Sequence, residues 1–422
     1  MMSPKIADIK ILAAICCLVM ATFFNITNLP IPYKYNFEAV LITVIFIIGF
    51  RILIKNYFVK KSIPSHNATT NYIFLSVSLI ILSAVLANLN FGQPLIYGLL
   101  ASRRSAYCLT GLIIFSLLKK EIISINDLEK VFIFYFITVL TIYYMINIFF
   151  PAEALLSTEN TEFTKGFVGY SKAMGISRYR FDQAIIIFGL IYSLVNRKNK
   201  KFLVYLLCAL FYILVFFRGR IPIFLFIIIG AYYIIIKANL KTKIKFCIFA
   251  GVVIPLSFFF GGFEQELSHL IAFFKDGFAA LTGKIGSDVS ANARIFEAKI
   301  AWRSIEQFHY IGVGQLSNQW LLTNELLLGY FHPSDIGLLG IWFLYGIAGV
   351  IAFFYLCLMI GKLFFIINRE NIFIFSCWLY SVYILLSSLM TGAIFITAFG
   401  QFSIMLAIIT YSIGKNKEYS TK

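Results

Sequence analysis

The chain has 422 residues, of which 60% are hydrophobic and only 13% are charged, and its mean hydropathy is +0.87. These values exclude a soluble globular protein, because apolar runs of about 18 residues or more, long enough to cross a bilayer, recur along the whole sequence. The formal net charge of +17 is spread over short connections between those runs, so we expect no nucleic-acid partner. The sequence therefore predicts an all-α polytopic membrane protein that forms a single integral membrane domain, 1–422.

Twelve apolar runs predict twelve transmembrane helices. In chain order they are 9–24, 37–54, 72–91, 101–118, 131–150, 183–196, 202–217, 221–236, 246–260, 336–360, 372–390 and 396–413. The connections after the second, fourth, sixth and eighth runs are rich in lysine, and cytoplasmic loops carry the excess of positive charge in membrane proteins. We therefore expect these connections, and both termini, on the cytoplasmic side.

Two connections on the predicted outer side are long, 151–182 and 261–335. Loops of this length are usually functional or disordered. The second contains a helix-like stretch, 291–308, and we expect it to form a small helical cap.

Arginine and lysine separate by side in this topology. Lysine dominates the cytoplasmic connections, whereas the outer side is predicted to hold Arg103, Arg104, Arg178, Arg180, Arg218, Arg220, Arg294 and Arg303. Topology requires only positive charge, which lysine supplies, while the planar guanidinium binds phosphate or carboxylate through two parallel hydrogen bonds. Arg218 and Arg220 are the best placed, because they occupy a turn of two or three residues between two spans. The pattern predicts an outer substrate that carries phosphate.

A simpler interpretation stays open for each arginine, in which it contacts lipid headgroups or pairs with a nearby acid. Arg294 and Arg303 each have a glutamate three residues later, Glu297 and Glu306, at a spacing that allows an ion pair on a helix. Nine residues separate the two arginines, so a helix would present them on opposite faces.

His332 and Asp335 directly precede the tenth apolar run, near the predicted outer surface. A histidine there could act as a general base and take a proton from a sugar hydroxyl. It could equally orient the start of the helix, and Ser334 or Asp335 is a candidate N-cap of that span. The histidine and cysteine spacings match no metal site, and no nucleotide-binding motif is present, so we expect no metal and no cofactor.

The residues quoted so far resemble the Wzy-type polymerases of bacterial surface polysaccharides and the related O-antigen ligases. The motifs that carry the resemblance are the Arg-Gly-Arg turn at 218–220, Ile-Gly-Val-Gly at 311–314, and His332 ahead of a glycine-rich span with Gly337, Gly340, Gly346 and Gly349. Some polymerases also carry an arginine followed by ten residues and a glycine in each large outer loop. Arg178 with Gly189 and Arg303 with Gly314 have that spacing.

The resemblance implies a metal-independent, inverting glycosyl transfer on the outer face of the bacterial inner membrane. The substrates would be oligosaccharide repeat units linked to undecaprenyl pyrophosphate, and a flippase and a chain-length regulator would be partners. Arg218 and Arg220 would act on the pyrophosphate, with the other outer arginines and Asp335 as substrate-binding residues. His332 would be the base, with Asp288, Glu297, Glu306 and Asp335 as alternatives. A ligase that moves glycan onto lipid A core, and a non-catalytic flippase or transporter, remain alternative functions.

Overall fold

The computed structural model of the protein describes residues 31–54, 68–149, 168–171, 176–179, 184–217, 220–237, 289–317, 319–320, 329 and 331–420. Almost all of these residues are helical. The α-helices are α1 (Ile31–Leu53), α2 (Ala68–Phe91), α3 (Leu95–Ala101), α4 (Thr110–Lys119), α5 (Ile125–Phe149), α6 (Ala184–Val195), α7 (Lys200–Phe211), α8 (Arg220–Lys237), α9 (Val289–Gln307), α10 (Gly337–Ile366), α11 (Ile372–Thr391) and α12 (Phe399–Ser420). Shorter 3-10 helices span Arg103–Leu109, Pro333–Ile336 and Ala393–Phe395, and a π-helical turn spans Tyr212–Phe217.

Among the described residues, four helical segments are long and apolar enough to cross a membrane: Ala68–Phe91, Ile125–Phe149, Pro333–Ile366 and Ile372–Thr391. Shorter apolar helices lie at Ala39–Leu53, Ala184–Val195 and Ile221–Ile234. The prediction of a helical membrane protein is therefore confirmed. The count of twelve spans stays a prediction, and two of its spans, 9–24 and 246–260, lie outside the described residues.

The predicted fourth span, 101–118, is not one continuous helix. A 3-10 helix, Arg103–Leu109, comes first, and α4 begins only at Thr110. Side-chain hydroxyls favour the tighter turn, since Ser105 Oγ donates to Ser102 O at 2.6 Å and Thr110 Oγ1 donates to Tyr107 O at 2.6 Å. Such local bonds compete with a regular α-helix, which an apolar count does not reveal.

A β-hairpin interrupts the helical pattern in the first long connection. Strands β1 (Val168–Ser171) and β2 (Ile176–Tyr179) pair antiparallel, with Gly169 opposite Arg178. Valine, isoleucine and tyrosine favour extended backbone, which accounts for the strands locally. The hairpin adds eight extended residues to a chain whose described residues are otherwise almost all helical, and the expected all-α class holds apart from it.

The core is formed by α10, α11 and α12 together with the helices around them. Helix α11 packs against α10, α12, α6 and α8, and α12 packs along α4 and α2. Small residues allow these approaches: a Cβ at Gly111 would collide with Ser403, whose hydroxyl donates to Cys108 O at 2.5 Å. Close backbone contact of this kind stabilises helix pairs where the hydrophobic effect between helices is weak.

Tyrosine hydroxyls donate hydrogen bonds to the backbone carbonyls in the break between α11 and α12. Tyr72 Oη donates to Ile394 O at 3.0 Å, and Tyr345 Oη donates to Phe395 O at 2.8 Å. Ser388 Oγ accepts from Ile394 N at 2.9 Å. Irregular backbone is tolerated inside a membrane protein only where other groups form hydrogen bonds with it, and these side chains therefore stabilise the break.

Candidate functional site

A non-helical segment, residues 310–317, inserts between α2 and α10, and we call it the inserted segment. Val313 N donates to Phe343 O at 2.7 Å, and Ile347 N donates to Tyr310 O at 3.2 Å. The segment thus replaces hydrogen bonds that a straight α10 would make within itself. The segment follows directly after α9, so its hydrogen bonds to α10 help to determine where that helix lies.

Polar side chains at the end of α2 hold the other edge of the inserted segment. Gln93 is fully buried: its Oε1 accepts from Ser317 N at 2.8 Å and its Nε2 donates to Gln315 O at 3.1 Å. Asn90 Nδ2 donates to the carbonyls at 312 and 313, each at 3.1 Å, and Ser83 Oγ accepts from Gln315 N at 2.8 Å. These bonds satisfy most of a buried stretch of backbone that has no regular structure.

Glycines make the insertion sterically possible. Gly346, in the middle of α10, has φ +63° and ψ −161°, which bends the helix, and a Cβ there would collide with Ile311 O. Gly312, with φ +111°, faces the Gly346 backbone in return, and a Cβ on Gly314 would collide with the backbone at Ala87. The Ile-Gly-Val-Gly motif is therefore a close-packing element.

Helix α9 lies beside the first turns of α10, and the contacts run in the same order along both. His332 N contacts Glu297, the Trp302 and Trp342 rings are 6.0 Å apart, and Ile347 N bonds to Tyr310 O. The two helices are therefore parallel here. The expected helix at 291–308 in the second long connection is confirmed.

The buried face of α9 carries a carboxylate. Ala301 and Ile305 are fully buried, Ser304 is nearly so, and Glu297, one turn earlier on the same face, is only 2% exposed. Glu297 Oε1 accepts from His332 N at 3.2 Å, and Oε2 has no hydrogen-bond partner among the described residues. A buried carboxyl oxygen without a partner is costly, and such groups often belong to functional sites.

The environment of Glu297 raises the pKa of its carboxyl group. Burial is the main cause and the negative charge of Asp335 adds to it, whereas the His332 N–H, the His332 side chain and Arg294 act in the opposite direction. Desolvation and a neighbouring like charge both disfavour the ionised form. The folded structure therefore favours the protonated form of Glu297 more than water does, and shifted carboxyl groups of this kind cluster at functional sites.

His332 and Asp335 lie where the sequence predicts, at the start of α10. His332 is exposed and occupies the N-cap position of the 3-10 helix Pro333–Ile336, and Asp335 lies inside that helix. Ser334 Oγ donates to Asp335 Oδ1 at 3.2 Å. Neither Ser334 nor Asp335 is the N-cap of α10; that position is Ile336, which makes no side-chain cap bond, because the 3-10 helix precedes α10.

The predicted arginines divide into those near this cluster and those elsewhere. Arg294 is exposed, one turn before Glu297, and lowers its pKa without bonding to either of its oxygens. Arg303 is exposed, on the side of α9 away from the buried face. Arg103 and Arg104 belong to the 3-10 helix before α4, where Arg103 Nη1 donates to Leu100 O at 3.4 Å.

The remaining predicted arginines lie either at the edges of the described ranges or outside them. Arg178 lies in β2 and Arg220 is the first residue of α8, whereas Arg218 and Arg180 lie outside the described residues. The turn that Arg218 and Arg220 were predicted to share therefore stays a prediction.

Sequence reasoning missed the polar residues of α2 that hold the inserted segment. Gln93 belongs to the Gly-Gln-Pro break at 92–94, which interrupts the apolar pattern between α2 and α3. An amide at such a break is a recognisable signal, but its partners are more than 200 residues away along the chain. Within the described residues no three histidine, cysteine, aspartate or glutamate side chains are grouped so as to hold a metal ion.

Comparisons with known proteins do not assign the chain to a family. No protein-family model, no curated protein and no solved structure matches it.

Proposed function

We propose that the protein polymerises undecaprenyl-pyrophosphate-linked oligosaccharide repeat units on the outer face of the bacterial inner membrane. In this proposal the chain crosses the membrane twelve times, both termini are cytoplasmic, and 151–182 and 261–335 lie outside. A flippase supplies the repeat units, and a chain-length regulator acts with the polymerase.

One observation carries the proposal: a buried carboxyl, a histidine and a second carboxylate lie together where α9 docks on the start of an apolar helix. Glu297 contacts the His332 backbone, the charge of Asp335 reaches Glu297, and Arg294 lies one turn away. Groups that can exchange protons and a guanidinium are thus found beside the end of a span. A proton acceptor and a positive charge are the contributions that the proposed glycosyl transfer would use, for the acceptor hydroxyl and the pyrophosphate respectively.

The sidedness of the described helices supports the proposed topology. Basic residues lie at Arg51 in the last turn of α1, Lys119 in the last turn of α4, and Arg369 just after α10. Helix α10 runs from the Glu297 cluster at one end to Arg369 at the other. The cluster and Arg369 therefore lie at opposite ends of α10, as the positive-inside rule requires for an outer site.

The reaction needs a base and a stabilised leaving group. The base removes the proton from the acceptor hydroxyl, whose oxygen attacks the anomeric carbon from the face opposite the pyrophosphate. The bond from that carbon to the pyrophosphate oxygen breaks, and the leaving group keeps the electron pair. His332 is the proposed base because its side chain is exposed, whereas Glu297 is enclosed and orients the turn that carries His332.

Deletion of the gene tests the function directly. Loss of the polysaccharide ladder with single repeat units still attached to the cell anchor is the expected result. Polymer that accumulates on the lipid carrier would identify a ligase, and repeat units that never reach the outer face would identify a flippase. Purified protein with lipid-linked repeat units should form the ladder without added metal.

The base assignment is tested with His332→Ala, which should abolish polymer formation while the protein still reaches the membrane. His309→Asn is the matched control, since His309 is also exposed and asparagine tolerates its left-handed backbone, φ +51°. Near-normal polymer from His332→Ala would move the base to another residue.

The pyrophosphate contact is tested with Arg218→Lys and Arg220→Lys. Both keep the positive charge but lose the two-point hydrogen bonding of arginine, so most activity should be lost. Arg51→Lys, at the cytoplasmic end of α1, should leave polymer formation unchanged. Wild-type activity in both outer variants would rule out bidentate phosphate binding at this turn.

A further inference from the structure

Three aromatic side chains form an exposed group where α9 meets α10. The ring centroids of Trp302, Tyr310 and Trp342 are 6.0 to 6.4 Å apart, and we call these residues the aromatic cluster. Trp302 is 42% exposed and Tyr310 is 45% exposed. Large aromatic rings that are partly exposed at the surface of a membrane protein often mark a surface that contacts lipid or a ligand.

The aromatic cluster is held rigidly. Tyr310 and the preceding His309 both adopt left-handed backbone, φ +63° and +51°, which non-glycine residues seldom do. The Tyr310 carbonyl accepts from Ile347 N at 3.2 Å and from Trp342 Nε1 at 3.3 Å. These bonds fix the Tyr310 backbone and the Trp342 ring beside the bend of α10 at Gly346, and the Trp302 ring packs against the rings of both residues.

An apolar stripe of α10 continues from the aromatic cluster. Exposed apolar side chains follow one another at helical spacing, and they are Ile347, Ile351, Phe354, Leu358 and Phe365. Ile311 of the inserted segment is also exposed, next to the start of this stripe. Since α10 belongs to a segment that is apolar enough to cross a membrane, the stripe is the surface that lipid tails cover.

The length of α10 shows where the lipid tails end. Its 30 residues, at about 1.5 Å each, extend about 45 Å, whereas the hydrocarbon core is about 30 Å thick and needs about 20 residues. Arg369 and Asn368 follow the far end of the helix, and Lys362 near that end can extend its ammonium group to the interface. Counted back from that end, the hydrocarbon covers 347–366, and 337–346 project beyond it.

We propose that the aromatic cluster lies at the outer boundary of the hydrocarbon and anchors α9 among the lipid headgroups. Tryptophan and tyrosine favour this depth because their rings prefer an apolar surrounding and their polar atoms prefer water. The exposed Lys299 and Arg303 beside Trp302 carry the positive charge that lipid phosphates attract. The occupant of this surface is thus the phospholipid headgroup layer.

The depth of the aromatic cluster follows from the length of α10, whereas its assignment to the outer side rests on the topology of the proposed function. The contact between Glu297 and His332 lies about one and a half turns before Trp302 along α9, away from the hydrocarbon. The cluster of proton-exchanging groups is then on the water side of the boundary, where the sugar part of a lipid-linked substrate extends.

The depth of single tryptophans in lipid vesicles tests the proposal. The chain has four tryptophans, so replacing Trp320, Trp342 and Trp378 by phenylalanine leaves Trp302 alone. Its emission should be quenched about twofold more by lipids brominated near the headgroup than by lipids brominated near the bilayer centre. A tryptophan placed by Ile311→Trp, with all four native tryptophans replaced, should show a shift towards the deeper quencher.

Trp378 is the matched control, because it is buried and its Nε1 donates to Ile360 O at 2.9 Å. As the sole tryptophan it should resist both lipids. The variants with several tryptophans replaced are compared with wild type by gel filtration. If they no longer elute as folded protein, the single variant Trp302→Phe is used instead, and it should remove the part of the native emission that lipids brominated near the headgroup quench.

Quenching of Trp302 by water-soluble acrylamide, with no effect of either lipid, would overturn the proposal. Protection of that emission by a free oligosaccharide would then assign the aromatic cluster to glycan binding. Stronger quenching of Trp302 by the deeper bromines would also contradict the proposed boundary.

Discussion

Replacing Gly346 by alanine should undock the inserted segment from α10. The backbone at Gly346, φ +63° and ψ −161°, lies in a region that is essentially restricted to glycine. The added Cβ would also collide with the Ile311 carbonyl, and the backbone at Gly312 allows no retreat because it already contacts Gly346. Both the strain and the collision oppose the bend that lets Tyr310 and Val313 bond to α10.

The expected cost follows from these contacts. Forcing alanine into this conformation costs about 1–3 kcal/mol. If the bend straightens instead, the bonds from Val313 N to Phe343 O and from Ile347 N to Tyr310 O are lost, at about 0.5–1.5 kcal/mol each. The two routes are alternatives, and either gives a loss of about 1–3 kcal/mol.

Gly361→Ala is the matched control on the same helix. A Cβ at Gly361 meets nothing within 4 Å, and glycine in a helix interior is less stable than alanine by about 0.5–1 kcal/mol, so this variant should be slightly stabilised. Thermal unfolding of the purified protein in detergent, compared between the two variants, measures the difference. Equal melting temperatures for the two variants would refute the conclusion that the inserted segment can dock on α10 only if residue 346 is glycine.

Two further predictions concern the polar contacts of the site. Gln93→Leu should destabilise the fold by about 2–4 kcal/mol, since it leaves Ser317 N and Gln315 O buried without a partner, and proteolysis within the inserted segment should then be faster. Glu297→Gln should remove a pH dependence of the free energy of unfolding. Because folding raises the pKa of Glu297, the protonated carboxyl contributes its full stability below the ordinary pKa of 4.5, and this contribution is lost as the pH rises through the raised pKa. The melting temperature of the wild type should therefore fall relative to Glu297→Gln over that rise, and parallel pH profiles would exclude a buried titrating carboxyl.

The apolar helices are well predicted from sequence because hydrophobicity and length act locally. The predicted span 372–390 matches α11, Ile372–Thr391, and 131–150 overlaps α5, Ile125–Phe149. The start of α5 was placed late because its first turn is polar: Ser124 and Asp127 cap each other there through hydrogen bonds of 2.7 to 3.1 Å. A helix predicted from its apolar residues therefore begins only after such a polar first turn.

The burial of Glu297 shows what a local pattern leaves open. Its spacing to Arg294 allows an ion pair on an isolated helix, but in the structure its Oε1 accepts from His332 N instead. Which face of α9 turns inwards is decided by its packing on α10, and the hydrophobic residues of α9 are too few and scattered to predict that face. A glutamate one turn before the buried Ala301 becomes enclosed as a result of that packing.

The position of the site depends on two contacts that flank the second half of α9. Glu297, near the middle of the helix, accepts from His332 N just before α10, and the Tyr310 carbonyl, just after the helix, accepts from Ile347 N of α10. These two contacts are about 20 Å apart along the chain of α9, at about 1.5 Å per residue. Because the second contact exists only where α10 bends at Gly346, the glycine-rich sequence of that span determines how the helix bearing Glu297 meets the turn bearing His332. The glycines of the tenth span and the histidine that precedes it are therefore connected through α9, and a change at the bend should reach the site through that helix.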